Sequence, residues 1–164
     1  MLPRDFSDLL SEFAASGVRF LVVGGHALAV HAEPRVTGDL DVWVANDAEN
    51  AHRVYDALAR FGAPMDNVTV ADFRSDDLIV QFGVVPLRID ILTSISGVSF
   101  DEAWSDRVEF DIDGLAVPMI GRAAFLRNKA ASGRLKDRAD IERVLVHHPE
   151  DRAMMDGLRN VDRA

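Results

Sequence analysis

The 164-residue chain contains no cysteine, and its only lysines are Lys129 and Lys136. Without cysteine there are no disulfides and no thiolate zinc sites. Long apolar runs are also missing. Phe20 to Val23 and Leu78 to Val80 are among the longest, far short of the roughly 20 residues that span a bilayer, so no membrane association is expected. The N-terminal stretch carries Asp5, Asp8 and Glu12 where a signal peptide keeps an uninterrupted apolar segment. A cytoplasmic location is the expectation. Positive charge is scarce: the net charge is −9. A protein that grips many phosphates needs a basic surface, so an extended nucleic-acid surface is not expected, although a local basic patch stays open.

The chain does have enough apolar residues for a substantial core, at an ordinary proportion for a globular protein. Phe6, Leu9, Leu10 and Phe13 recur at helical spacing and predict a helix over Asp5–Ser16 that stops at Gly17. Val18–Val23 reads as a buried strand. The pair Gly24-Gly25 ends it, and a short helix follows until Glu33-Pro34, where the residue before proline disfavours the α region. Asp39–Val44, DLDVWV, alternates strictly and predicts a strand. Asn46 with Glu49 resembles a capping box opening a helix to Phe61. LIVQFGVV and LRIDIL, split by Pro86, predict adjacent strands within 78–92. EFDIDGLAVPMI predicts a hairpin turning at Asp113-Gly114. Helices follow over Arg122–Ser132 and Asp137–Val146, with a short peripheral helix after Pro149. This order predicts an α/β (α+β) fold, a mixed twisted sheet covered by helices, in one domain over 1–164. Its core covers about 18–120 and its helical C-terminal part about 121–164.

Chemistry concentrates in GGHALAVHAEPRVTGDLDVWV. Asp39 and Asp41 stand two apart on a strand, so both carboxylates share a face. Like charges side by side repel, and burial makes unpaired aspartates costly. A hard divalent cation resolves this, because magnesium is held by one or two carboxylates plus substrate phosphates. Asp90 repeats the pattern in RIDIL, and if its strand is a neighbour, three acids converge. The glycine pair at a strand-to-helix turn can present amides to phosphate, beside a helix N-terminus that favours an anion. The same pair also suits an ordinary tight turn. GGHALA is not the GxGxxG dinucleotide fingerprint, and no GK[ST] exists for a Walker A loop.

These residues resemble the polymerase β nucleotidyltransferase superfamily: a strand, a GG turn, an acid pair, then a third acid on a later strand. Within it, the chain is similar to minimal bacterial members such as the AbiEii-like toxins. Those carry GG, R-x-T-x-D-h-D and a late K-D-x-x-D helix. The matching residues here are Gly24, Gly25, Arg35, Thr37, Asp39 and Asp41, then Lys136, Asp137 and Asp140. The resemblance runs from about Val18 to Val146. It implies a polymerase β-like palm and a metal-dependent nucleotidyltransferase. Asp39, Asp41 and Asp90 would hold Mg²⁺ or Mn²⁺, with Asp90 also a base on the acceptor hydroxyl. Gly24, Gly25, Arg35, Thr37, Lys129 and Lys136 would contact the NTP, with ATP the default. The acceptor stays open among a protein side chain, a tRNA end and a small molecule.

Other readings stand beside this one. The chain could be a catalytically silent nucleotide-binding or toxin–antitoxin component, with its late helices as a partner surface. It could also be a plain αβ domain with solvated aspartates. Arg88 shares a face with Asp90 and suits either an ion pair or a catalytic contact. Lys129, Lys136, Asp137 and Asp140 suit either a site or a charged helix start. His26 and His31, five apart, fit no helical zinc spacing. Trp43 reads as core or as a site wall, since its parity is that of Asp39 and Asp41. Trp104 reads as core.

Overall fold

The computed structural model describes residues 2–33, 36–161 and 163. Arg35 therefore lies outside the described residues. The elements run α1 (Arg4–Ala15), β1 (Phe20–Val23), α2 (Gly24–His31), β2 (Leu40–Val44), α3 (Ala48–Phe61), β3 (Ile79–Val84) and β4 (Leu87–Leu92). There follow α4 (Phe100–Ser105), β5 (Val108–Ile112), β6 (Leu115–Met119), α5 (Arg122–Ser132), α6 (Leu135–His147) and α7 (Arg152–Val161). The six strands form one mixed sheet in the order β3-β4-β2-β1-β6-β5. β2 is antiparallel to β1 and parallel to β4, and β3 and β4 form a hairpin.

Strand alternation sends side chains to two separate cores. Phe20, Val22, Leu40, Val42, Val44, Ile89 and Ile91 meet Phe6, Leu9, Leu10 and Phe13 of α1 and Val54 and Leu58 of α3. Leu21, Val23 and Trp43 face the other way, against Leu28, Phe125, Leu126, Val144 and Met155 of the remaining helices. The sheet is thus covered on both sides, and Asp41 and Asp90 lie on the second face.

Several boundaries differ from expectation. Asp39 sits just before β2 instead of inside it. The two glycines form the first turn of α2. The cap of α3 is Asp47, one residue later than Asn46: its Oδ1 accepts from Asn50 N at 3.0 Å. Asn46 instead donates to Asp76 at 2.7 Å, and Glu49 pairs with Arg53 at 2.6 Å. α6 begins at Leu135, because Asp137 lies in its first turn and accepts from Arg134 N. α4 was not anticipated. Its Ser99 and Glu102 form a capping box, but six residues are too few to establish a helical period. Trp104 is half-buried and packs against the second core from its margin, with Arg107 stacked on its ring at 3.9 Å.

Loss of an N-cap side chain typically costs about 1 kcal/mol. Urea unfolding should therefore show Asp47→Ala destabilised by about that amount. Asn46→Ala should stay within about 0.5 kcal/mol of the parent. The reverse order would return the cap to Asn46.

Candidate active site

The register of the central strands assembles the site. In the parallel β2–β4 pair Asp41 lies opposite Asp90, and in the β1–β2 pair Asp41 lies opposite Val23, the residue before α2. Both carboxylates and the start of α2 are thereby brought together. The resulting cleft, about 580 Å³, is lined by Gly24, Gly25, Asp39, Asp41, Arg88 and Asp90 on the sheet side. Lys129, Arg134 and Lys136 line the helical side.

Gly24 fits only as glycine. Its φ is +67°, and a Cβ there would overlap Asp41 Oδ2. Gly25 is similarly close to Thr37, whose Oγ1 would lie 2.8 Å from an added Cβ. Thr37 in turn donates from Oγ1 to the Asp39 carbonyl at 3.3 Å. It thus shapes the turn that delivers Asp39, and does not itself line the cleft. α2 begins without any side-chain cap, leaving its first amides available to an anion.

Arg88 is the dominant cation among the acids. Its Nε donates to Asp90 Oδ1 at 3.0 Å, and its Nη2 reaches Asp39 Oδ2 at 3.3 Å. Gln81 makes a long contact of 3.5 Å with the other Asp90 oxygen. Among the described residues no three His, Asp or Glu side chains are grouped as a metal cage. The hard oxygen donors still match magnesium, which needs only one or two carboxylates with substrate phosphates.

Among the described residues Asp41 has no such partner, and its electrostatics differ. Burial pushes its carboxyl up to about 6, with the Asp90 and Asp39 charges adding to the effect and Lys136 and Lys129 opposing it. A carboxylate that is costly to ionise alone is one that a cation would relieve.

Lys129 is nearly buried and sits between Asp137 at 3.3 Å and Asp140 at 3.2 Å. Burial pushes the Asp137 carboxyl up, but Arg134's hydrogen bond and the Lys129 charge outweigh it and hold the group below its ordinary value. Lys129 therefore ties α5 to α6 at the edge of the cleft, while Lys136 is exposed there. Arg134 was missed by sequence reasoning. Its signal was the i,i+3 spacing to Asp137, which it contacts from Nε at 2.8 Å. The histidines serve other contacts: His31 Nε2 lies 2.7 Å from the Ile120 carbonyl, and His26 bonds the Asp39 backbone. Trp43 is 1% exposed and lies outside the carboxylate cleft, against Phe100.

Comparisons with known proteins agree with this geometry. A family model described as a nucleotidyl transferase of unknown function (DUF2204) matches residues 3–162. A structure described as a nucleotidyltransferase from Thermotoga maritima superposes with a TM-score of 0.58 at 14% identity, covering 88% of this chain and 92% of that one. The lincosamide antibiotic adenylyltransferase LnuA, lincomycin-bound, gives 0.54 at 16% identity, covering 88% and 96%. An antigenic nucleotidyltransferase-like protein from Paracoccidioides brasiliensis gives 0.51 at 15% identity, covering 85% and 71%. No curated protein matches the chain.

The Asp41 carboxyl generates a test. Its ordinary value is 3.8 and its folded value about 6, so between these pH values the folded state binds more protons and stability falls as pH rises. Above pH 6 the full cost is present, about 3 kcal/mol at 1.36 kcal/mol per pH unit. In chelator, Asp41→Asn should therefore melt several degrees higher than the parent at pH 7.5, with the gain shrinking toward pH 4. An equal gain at both pH values would remove the buried charge as its cause.

Proposed function

Since the chain belongs to this nucleotidyl transferase family, we propose that the cleft is of the polymerase β type and transfers a nucleoside monophosphate from an NTP, by default ATP, to an acceptor hydroxyl. The observation that carries the reading is Asp41 set opposite Asp90 beside the uncapped start of α2. In the transfer, the acceptor oxygen attacks the α-phosphorus. The new O–P bond forms as the bond to the bridging oxygen breaks, and pyrophosphate leaves. The acceptor proton passes to Asp90, the most buried of the three carboxylates on the sheet side of the cleft, with the Arg88 guanidinium orienting it. The α2 amides of Gly24 and Gly25 hold the outer phosphates, and Lys136 approaches the same charge from the helical side. Lys129 keeps α5 and α6 in register around them. Asp39 and Asp41 are the residues to hold Mg²⁺ or Mn²⁺, which when bound neutralises phosphate charge.

A second reading, a silent nucleotide-binding component, is favoured by one feature. Arg88 already compensates Asp39 and Asp90, so the acids are stable without turnover.

Thermal shift and turnover separate the two. Mg²⁺–ATP at a hundredfold excess over Kd should stabilise the parent by about 2.7 kcal/mol, and Asp41→Asn should lose most of that shift. Asp90→Asn should keep nucleotide binding while pyrophosphate release falls about 10²-fold or more. Near-normal turnover in Asp90→Asn would take this residue out of the chemistry.

A further inference from the structure

A separate cavity of about 470 Å³ opens between α5, α6 and α7, and Lys129 is the one residue it shares with the carboxylate cleft. Part of its wall is apolar: Ile141 and Met155 are 5% and 2% exposed, with Ala130 and Leu158 half-buried beside them. The charge on the rest is of one sign. Lys129, Arg138, Arg159 and Arg163 line the cavity, and among the described residues no acid does. Lys129 is answered by Asp137 and Asp140, whereas Arg138, Arg159 and Arg163 make no ion pair with any described residue. Carboxylates are not scarce, since acids outnumber lysine and arginine 27 to 18. Nearby arginines do find them: Arg152 of α7 lies 3.5 Å from Glu142, and Arg143 of α6 lies 3.7 Å from Glu33. The helix gives no reason for Arg138 either. It stands one turn into α6, nearer the end of the helix dipole that disfavours a cation. Three uncompensated arginines thus converge on one concavity, where their mutual repulsion favours an anion between them.

We propose that this cavity is a binding site for a small organic phosphate, a phosphate dianion carried on an apolar, ring-bearing body. The planar guanidinium forks of Arg138 and Arg159 match phosphate oxygens two at a time, and Arg163 adds charge at the rim. The body covers Ile141, Leu158 and Met155, whose thioether is a favourable neighbour for a ring. Both parts are needed. Inorganic phosphate leaves the apolar wall wet, and an uncharged ring leaves the arginines unmatched. A long nucleic-acid strand is disfavoured, because the net charge of −9 repels phosphates that extend beyond the cavity. The site does not depend on what the carboxylate cleft does. The Lys129 ammonium is already held by Asp137 and Asp140, so the two spaces fill independently.

Isothermal titration with 1-naphthyl phosphate, in chelator and without nucleotide, tests the site. Saturable binding of one molecule per chain is expected, with inorganic phosphate and 1-naphthol each weaker by about tenfold or more. Arg138→Gln/Arg159→Gln should weaken naphthyl phosphate by about the same factor. Both arginines are exposed, so this variant should keep the melting temperature of the parent. Arg138→Lys/Arg159→Lys, which preserves charge, should recover part of the affinity and guards against loss through misfolding. Lys136→Gln, on the cleft side of the helical wall, should bind naphthyl phosphate as the parent does. A single-stranded RNA 20-mer should not displace the probe at equal concentration. Absence of saturable binding, equal binding by the double glutamine variant, or inorganic phosphate binding as tightly as the ester would each overturn the site. Loss of binding in Lys136→Gln would move the ligand into the carboxylate cleft, and displacement by the RNA would make the cavity part of a nucleic-acid surface. Either result would also overturn it.

Discussion

Asp41 and Asp90 face each other across adjacent parallel strands, two carboxylates that repel and are both drawn out of water. Everything near them compensates for that placement. The strands are fixed by apolar side chains on both faces, so neither can slip by one residue without sending its core set to the wrong side. Gly24 gives up its side chain to make room for the Asp41 carboxylate. Thr37 braces the turn carrying Asp39. The structure therefore spends stability to hold the acids, which is the usual mark of a site kept for chemistry.

The compensation is uneven. Arg88 bridges Asp90 and Asp39, whereas Asp41 keeps its charge only at elevated cost. Across the cleft, Lys129 is locked by Asp137 and Asp140, which fixes the helical wall, and Lys136 stays exposed toward the acids. On the proposed reading, a nucleoside triphosphate would bring the opposite sign of charge to the lysine side and, with a cation, would relieve Asp41. One wall is acidic, the other carries an exposed positive charge, and the α2 amides lie between them.

Much of this was legible because it obeys short-range rules. Strand parity put Asp39, Asp41 and Asp90 on a shared face, with DLDVWV and RIDIL marking buried strands. The Asp113-Gly114 turn and the helix over Arg122–Ser132 followed from local pattern too. What was hidden depends on distant partners. The Arg88–Asp39 contact joins residues 49 apart, and no local spacing announces it. Lys129 lines the cleft, and only the folded chain shows the two aspartates around it. Trp43 had the right parity for a site wall, yet it falls beside a different cavity. The α3 cap moved from Asn46 to Asp47 because both types can cap and tertiary contacts with Asp76 chose between them. The narrower likeness to AbiEii-like toxins rests on the residue pattern alone.

On the proposed reading, the α-phosphorus of an NTP is transferred to an acceptor. That reading is tested most directly by incubating the protein with Mg²⁺, a cell extract and ATP labelled with ³²P at either the α or the γ position, each of the other NTPs following in turn. The α label should become attached to an acceptor while the γ label leaves as pyrophosphate. Transfer of γ label, or no transfer of label from any NTP, would contradict it.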